Sequence, residues 1–254
     1  MSLFELDGVA LVLPVPGGLR NILHNVSFRI ASGEILTICG VSGTGKTSLL
    51  RVLAGLTAPT RGRVMFRGTP IDGPQDGVAL VFQDYSNALL QWRTVARNVS
   101  LGIERTLYGA ALNERIAESL RLVGLENSAA DYPWQLSGGM QQRVQIARAL
   151  ALRPSVLLMD EPFAALDAMT KASLQDELLR VRAQTGASIV FITHDIEEAV
   201  YLGDRVAVLS GMPGTIASTF DVDLPRPRDQ ITTRELPLFL QLRHQIHDAI
   251  GRHT

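Results

Sequence analysis

Ile35 to Leu53 reads ILTICGVSGTGKTSLLRVL: an apolar run, a glycine-rich turn, then a segment with helical spacing. Gly40, Gly45, Lys46 and Thr47 satisfy the pattern G-x-x-x-x-G-K-[ST] without a mismatch. Glycines let the backbone curl so that successive N–H groups point inward at phosphate oxygens. Lys46 puts a point charge on the outer phosphates, and the Thr47 hydroxyl can ligate a magnesium ion. The helix that follows offers its positive end to the same anion. A chance glycine-rich turn is the bland alternative, but a strand before and a helix after supply the context the pattern needs.

The chain has 254 residues, enough for one large domain with a subdomain. Lys and Arg total 24 against 25 Asp and Glu, so no global charge points to nucleic acid. The one cysteine, Cys39, lies in the apolar strand before the glycine turn and reads as a small core residue in a reducing, cytoplasmic setting. The start MSLFELDG has neither a basic nor an apolar leader region, so no signal peptide is expected. No run approaches the ~18 apolar residues that read as a membrane span.

Leu3 to Leu13 mixes apolar residues with turn formers and breaks at Pro14, Pro16 and Gly17-Gly18. Val26, Phe28 and Ile30 alternate as in a half-buried strand, and Arg63 to Arg67 reads as another. These short strands suggest an antiparallel layer beside a parallel core. After Gln83, the stretch DYSNALLQWRTVARNVSLGI is apolar without a strand period; exposed, it would suggest a partner, and buried, plain core. Asn113 is placed as the cap of a helix carrying Ile116, Leu120 and Val123 and ended by Gly124. Ser137 with two glycines opens another helix, Ala172 to Ala183 a third, and Ile196 to Leu202 a fourth. Val206 to Leu209 is read as the last strand. Prolines 225 and 227 force an extended path before a helix striped by Leu236, Phe239, Leu240, Arg243, Ile246 and Ile250. That stripe is read as cover for the core edge, with a partner surface as the alternative.

Three apolar strands end in functional groups: Cys39 into the glycine loop, Met159 into Asp160-Glu161, and Thr193 into His194. Ligands of open α/β sheets gather at the carboxyl ends of strands. Asp160 is placed to help hold magnesium, and Glu161 to polarise a water. Two solvated carboxylates at a strand end would look the same in isolation. It is the order of glycine loop, Gln, LSGG, Asp-Glu, LD and His in one chain that lifts each of them above a bland reading.

Over essentially its whole length, at least to Leu209, the sequence resembles the ATP-binding subunit of an ABC transporter, with LSGGMQQRV as the distinguishing element. The resemblance implies a phosphate-loop NTPase of ABC type: α/β, a mixed sheet core with an antiparallel β subdomain and a helical subdomain. It implies a nucleotide-binding core over about 1–84 and 154–220, a helical part over about 85–153, and a C-terminal extension over about 221–254. Gly40, Val41, Ser42, Gly43, Thr44, Gly45, Lys46, Thr47 and Ser48 match the Walker A loop. Gln83 matches the Q-loop residue near magnesium, Asp160 the magnesium aspartate, and Glu161 the catalytic glutamate. Ser137, Gly138 and Gly139 match the signature that reaches the γ-phosphate of ATP on the opposite subunit. Asp167 matches the D-loop at the dimer interface, and His194 the switch histidine. ATP and Mg2+ are the implied ligands, and an ATP-dependent pair of this chain the implied assembly. One departure stands out. The family's upstream adenine-stacking aromatic has no counterpart near Val12 to Val15, where Leu13 and prolines stand; Phe4 and Phe28 lie elsewhere. Modest ATP affinity and relaxed discrimination against GTP are expected.

QDYSNALLQWRTVARNV, DEPFAALDAMTKASLQDELLRV, THDIEEAVYLGDRVAVLS and VDLPRPRD further resemble the nitrate/sulfonate/taurine import branch, although Gln91 replaces the proline usual before Trp92. This branch implies two membrane-spanning permease subunits, an extracytoplasmic substrate-binding protein, and a place at the cytoplasmic face of the membrane. The long regulatory domain of sugar-importer relatives is not expected, since 27 residues follow Pro227. A soluble ABC ATPase acting on DNA or ribosomes is the alternative. Its usual coiled-coil insertion is not matched by the 53 residues between Gln83 and Ser137, and neither a second phosphate loop nor a basic tract is present. A regulator without turnover is disfavoured by Glu161 and His194. Exporter motors share these motifs, but Glu197-Glu198-Ala199 after His194-Asp195, together with the tail, favours import.

Overall fold

The structure is a computed structural model that describes residues 2–83 and 88–251. It contains two compact units, Met1–Asp76 with Ala187–Thr254, and Gly77–Gly186.

In the first unit, β1 (Ser2–Val15) and β2 (Gly18–Ala31) form a long hairpin closed at Val15↔Gly18. The prolines and glycines thus break the chain only at the hairpin tip. Leu3 to Leu13, whose mixed pattern assigned it to no element, is strand throughout. Its turn formers Asp7 and Gly8 are absorbed where the register shifts between Leu6 and Val9, with Gly8 at φ 60°. β4 (Arg61–Phe66) pairs with β1 and with the short β5 (Thr69–Pro70), giving an antiparallel sheet ordered β2-β1-β4-β5. Phe4 is buried against Phe66, with ring centroids 4.9 Å apart.

The mixed layer of this unit runs β10-β9-β3-β8. β3 (Ile35–Cys39) and β8 (Ser188–Thr193) are buried at every residue, as parallel strands covered on both faces must be. They pair in parallel, and β9 (Arg205–Ser210) flanks β3 on its other edge. β9 is not the last strand: β10 (Thr215–Asp221) returns antiparallel to it. Its residues are mostly half-buried, so no strong alternation marks it in the sequence. The helices are α1 (Lys46–Leu53), α6 (Ile196–Leu202) and α7 (Pro237–Gly251). α7 buries Phe239, Leu242, Ile246 and Ala249. The tail therefore covers core, but on a face rotated from the expected stripe, leaving Leu240 exposed.

In the second unit, β6 (Val78–Val81) pairs in parallel with β7 (Val156–Asp160). The helices are α2 (Val95–Val99), α3 (Gly109–Leu122), α4 (Gly138–Ala151) and α5 (Ala168–Thr185). Asn113 does not cap α3 but lies inside it; the helix begins at Gly109, after the extended Tyr108. α5 starts four residues before the expected Ala172 because Asp167 caps it, and ends at Gly186 with φ 68°. Part of the stretch after Gln83, residues 84–87, lies outside the described residues. The remainder is divided: Leu89, Val95, Val99 and Ile103 are buried, while Trp92 is 75% exposed.

Candidate functional site

The parallel register of the first unit sets Cys39 opposite Thr193, so Gly40 and His194 leave neighbouring strands at the same end. Gly40 meets its surroundings backbone to backbone: a Cβ there would stand 2.1 Å from the Leu209 carbonyl oxygen. Gly43 and Gly45 take φ of 87° and 95°, the left-handed region that closes the loop. Lys46 is buried and bends back across the loop, donating from Nζ to the carbonyls of Gly40 at 2.9 Å and Val41 at 3.0 Å. Thr44 donates to Val41 O at 3.0 Å. The first turn of α1 carries no acidic residue, and Gly45 brings no capping side chain, so its positive end faces the loop unneutralised.

A second segment supports the loop and was not foreseen. Gly211 to Gly214 joins β9 to β10 and bonds to β2, with His24 N donating to Gly214 O and Gly214 N to Ile22 O, each at 2.9 Å. A Cβ at Gly214 would stand 2.1 Å from Thr44 O. The glycines of the turn are visible in sequence; their long-range contact with the phosphate loop is not.

His194 is exposed at the end of β8. The residues around it are tied together. The Thr193 hydroxyl accepts from Asp195 N at 3.0 Å and itself donates to the buried Glu198 carboxylate. Asp195 caps α6, its Oδ1 accepting from Glu197 N at 3.0 Å and Glu198 N at 3.2 Å. Beside the loop, burial pushes the Cys39 thiol up to about 12, against the lowering effect of Lys46, so Cys39 is an inert core thiol as expected.

In the second unit, Val81 stands opposite Met159, so Gln83 and Asp160 leave paired strands at one end. Asp160 is buried and closes β7; Gln83 is exposed. Glu161 follows with φ 42°, a strained backbone for a residue with a side chain. Ser137 caps α4, accepting from Met140 N at 3.3 Å, and Gly138 and Gly139 form its first turn. Asp167 caps α5 through Met169 N at 3.1 Å and Thr170 N at 3.0 Å, and its hydrogen bonds, those from Thr170 foremost, hold its carboxyl below the usual range. Asn98 is a further organising residue that sequence reasoning missed. Fully buried, it accepts from Leu90 N at 2.9 Å and donates to the carbonyls of Leu90, Arg93 and Thr94, fixing the loop that carries Trp92.

The donor chemistry suits a polyphosphate with magnesium. A backbone cradle, a buried ammonium and an unneutralised helix end take the anion. Thr47 offers a hydroxyl in the first unit, and in the second unit Asp160 offers a carboxylate and Gln83 an amide, each an oxygen donor of the kind magnesium accepts.

Residues 23–164 match the family described as ABC transporter. The chain is 43% identical over 252 residues to the nitrate import ATP-binding protein NrtC of Synechococcus elongatus, covering 97% of this chain and 38% of NrtC. It thus spans well under half of that relative. It is 46% identical over 215 residues to the aliphatic sulfonates import ATP-binding protein SsuB 1 of Xanthomonas axonopodis pv. citri, covering 84% of each. Among solved structures, the dimeric post-hydrolysis state of the ATP-binding cassette MJ0796 bound to ADP and Pi superposes with a TM-score of 0.75 at 31% identity, covering 86% of this chain and 98% of that one. By motif, fold and sequence alike, the chain belongs to the ABC transporter family and carries its ATP-binding cassette.

Proposed function

We propose that this chain is the ATP-hydrolysing motor subunit of a membrane importer for a small molecule, of the nitrate/sulfonate/taurine type. The observation that carries this reading is the parallel register that brings the phosphate loop and His194 out of adjacent strands. Relatives named for nitrate and sulfonate import support the transport assignment.

In the proposed mechanism, Gly40 to Ser48 cradle the phosphates and Lys46 neutralises their charge. Thr47, Asp160 and Gln83 would hold magnesium, which supplies charge neutralisation at the transferred phosphoryl group. Glu161 orients the attacking water, and His194 contacts the γ-phosphate. Phosphoryl transfer asks for positioning and electrostatics more than covalent help, which is what a rigid backbone cradle provides. Ser137, Gly138, Gly139 and Asp167 act on the nucleotide held by a second copy. By function, about 1–84 and 154–220 form the nucleotide-binding core, about 85–153 the helical part, and about 221–254 the extension.

Among the described residues no helix is long and apolar enough to cross a membrane. Two permease subunits at the cytoplasmic face, with an extracytoplasmic binding protein beyond them, complete the proposed assembly. Phe82, Trp92 and Leu101, exposed in the second unit, offer apolar surface for such a partner.

The test is the ATPase rate of the detergent-solubilised complex that co-purifies with the chain, with its binding protein and a panel of taurine, alkanesulfonates, nitrate and thiamine-precursor pyrimidines. Stimulation by one compound, abolished by Glu161→Gln, is expected. Co-purification of ribosomes or DNA in place of membrane subunits would overturn the transport reading.

A further inference from the structure

Helix α6 has seven residues, two turns, too few to hold its position by its own hydrogen bonds. Arginines from the tail hold both of its ends. At the C-terminal end, the buried Arg228 donates from Nη1 to the Tyr201 carbonyl at 2.6 Å and the Val200 carbonyl at 3.4 Å. Arg226 pairs at 2.6 Å with Asp204, which also accepts from Ile35 N at 2.9 Å where β3 begins. At the N-terminal end, Glu197 is held from two sides. Arg234 Nη1 lies 2.9 Å from its Oε2, and Arg243 Nη1 2.9 Å from its Oε1. Arg234 also lies over the rings of Tyr201 and Phe239, 5.0 and 5.9 Å from their centroids, so α6 and α7 together locate its guanidinium.

Cations at the C-terminal end answer the orphan carbonyls of any helix. The N-terminal contacts have no such general cause. Asp195 already caps that end, and the Glu197 carboxylate is drawn to the tail instead. Part-exposed ion pairs add little stability; their effect here is to fix where the first turn of α6 stands. His194, Glu197, Arg243, His244 and His247 line one groove of about 710 Å³.

We infer that Arg234 and Arg243 are positioning residues for His194, acting through Glu197. The inference rests on the assignment of His194 to the γ-phosphate in the proposed function.

The test compares ATP turnover and hydrogen exchange in the purified full-length chain, its Arg234→Ala/Arg243→Ala variant and its Arg234→Lys/Arg243→Lys variant. The alanine pair is expected to lower kcat about tenfold, with KM for ATP within about twofold, because the reacting groups are displaced while binding is kept. It should also speed exchange in the peptide spanning 194–202 and leave β3 and α1 unchanged. The lysine pair should restore part of both, since each bond to Glu197 is a single N–H to a single oxygen, while lysine cannot reproduce the fork of Arg234 on Gln230 Oε1. Glu197→Gln, which leaves the arginines in place, should give the same split and covers an alanine pair that does not fold. Unchanged kcat, unchanged exchange over 194–202, or a rise in KM alone overturns the inference. His194→Ala separates the two levels. If turnover survives it, the assignment of His194 falls and the inference with it. If turnover drops there but not in the arginine variants, only the inference falls.

Discussion

Glu177 on α5 stands 3.0 Å from Arg143 on α4, yet burial outweighs that one guanidinium and pushes its carboxyl from the ordinary 4.5 up to about 7. Between those two values the folded chain keeps a proton that the unfolded chain has shed. Stability is therefore present in full below about pH 4.5 and lost as pH rises through about 7. Glu177→Gln, neutral throughout, should match the parent in thermal melts near pH 5 and exceed it near pH 8 by on the order of 2 kcal/mol. A difference that does not change with pH would refute this assignment of cause. Residues of this kind were not legible in the sequence. Lys46 and Asp160 are announced by their neighbours in the chain. Glu177, Asn98 and Arg228 depend on partners far from them or on burial, neither of which spacing reveals.

Gly139 shows how two elements can depend on one missing methyl. A Cβ there would stand 2.5 Å from Thr170 Cγ2, so the first turns of α4 and α5 pack at glycine distance. Gly139→Ala should cost about 1–3 kcal/mol in a denaturant melt, as overpacking does. Adding Thr170→Ser, which deletes the obstructing methyl and keeps the hydroxyl, should recover more than half of it. No recovery would mean that the helix itself, and not the contact, objects to alanine. Element by element, the sequence was most informative where pattern and burial coincide. β8 and α6 fall where the apolar run and the composition placed them. β10 escaped because a half-buried strand paired only at β9 has no alternation to show. In α7, apolar residues spread round the helix allow more than one buried face, and packing on α6 and β9 selects the one through Leu242.

At the scale of the molecule, the ABC transporter fold and the phosphate loop were legible from the motif order alone, whereas the tail's grip on α6 was not, because four separate arginines converge only in three dimensions. The related cassette bound to ADP and Pi is a dimer. Glu161→Gln with saturating ATP and magnesium should accordingly double the scattering mass from 27.6 kDa. A monomer under those conditions would speak against a nucleotide shared between two copies. The walls of the phosphate loop carry a longer consequence. At Gly40 and Gly214 they are main chain against main chain, with no room for even one added carbon. Inherited change can loosen that cradle only by losing a glycine outright, with no intermediate form to pass through. Trp92, 75% exposed, carries no such bar. Change is therefore gradual at that surface and all-or-nothing at the cradle.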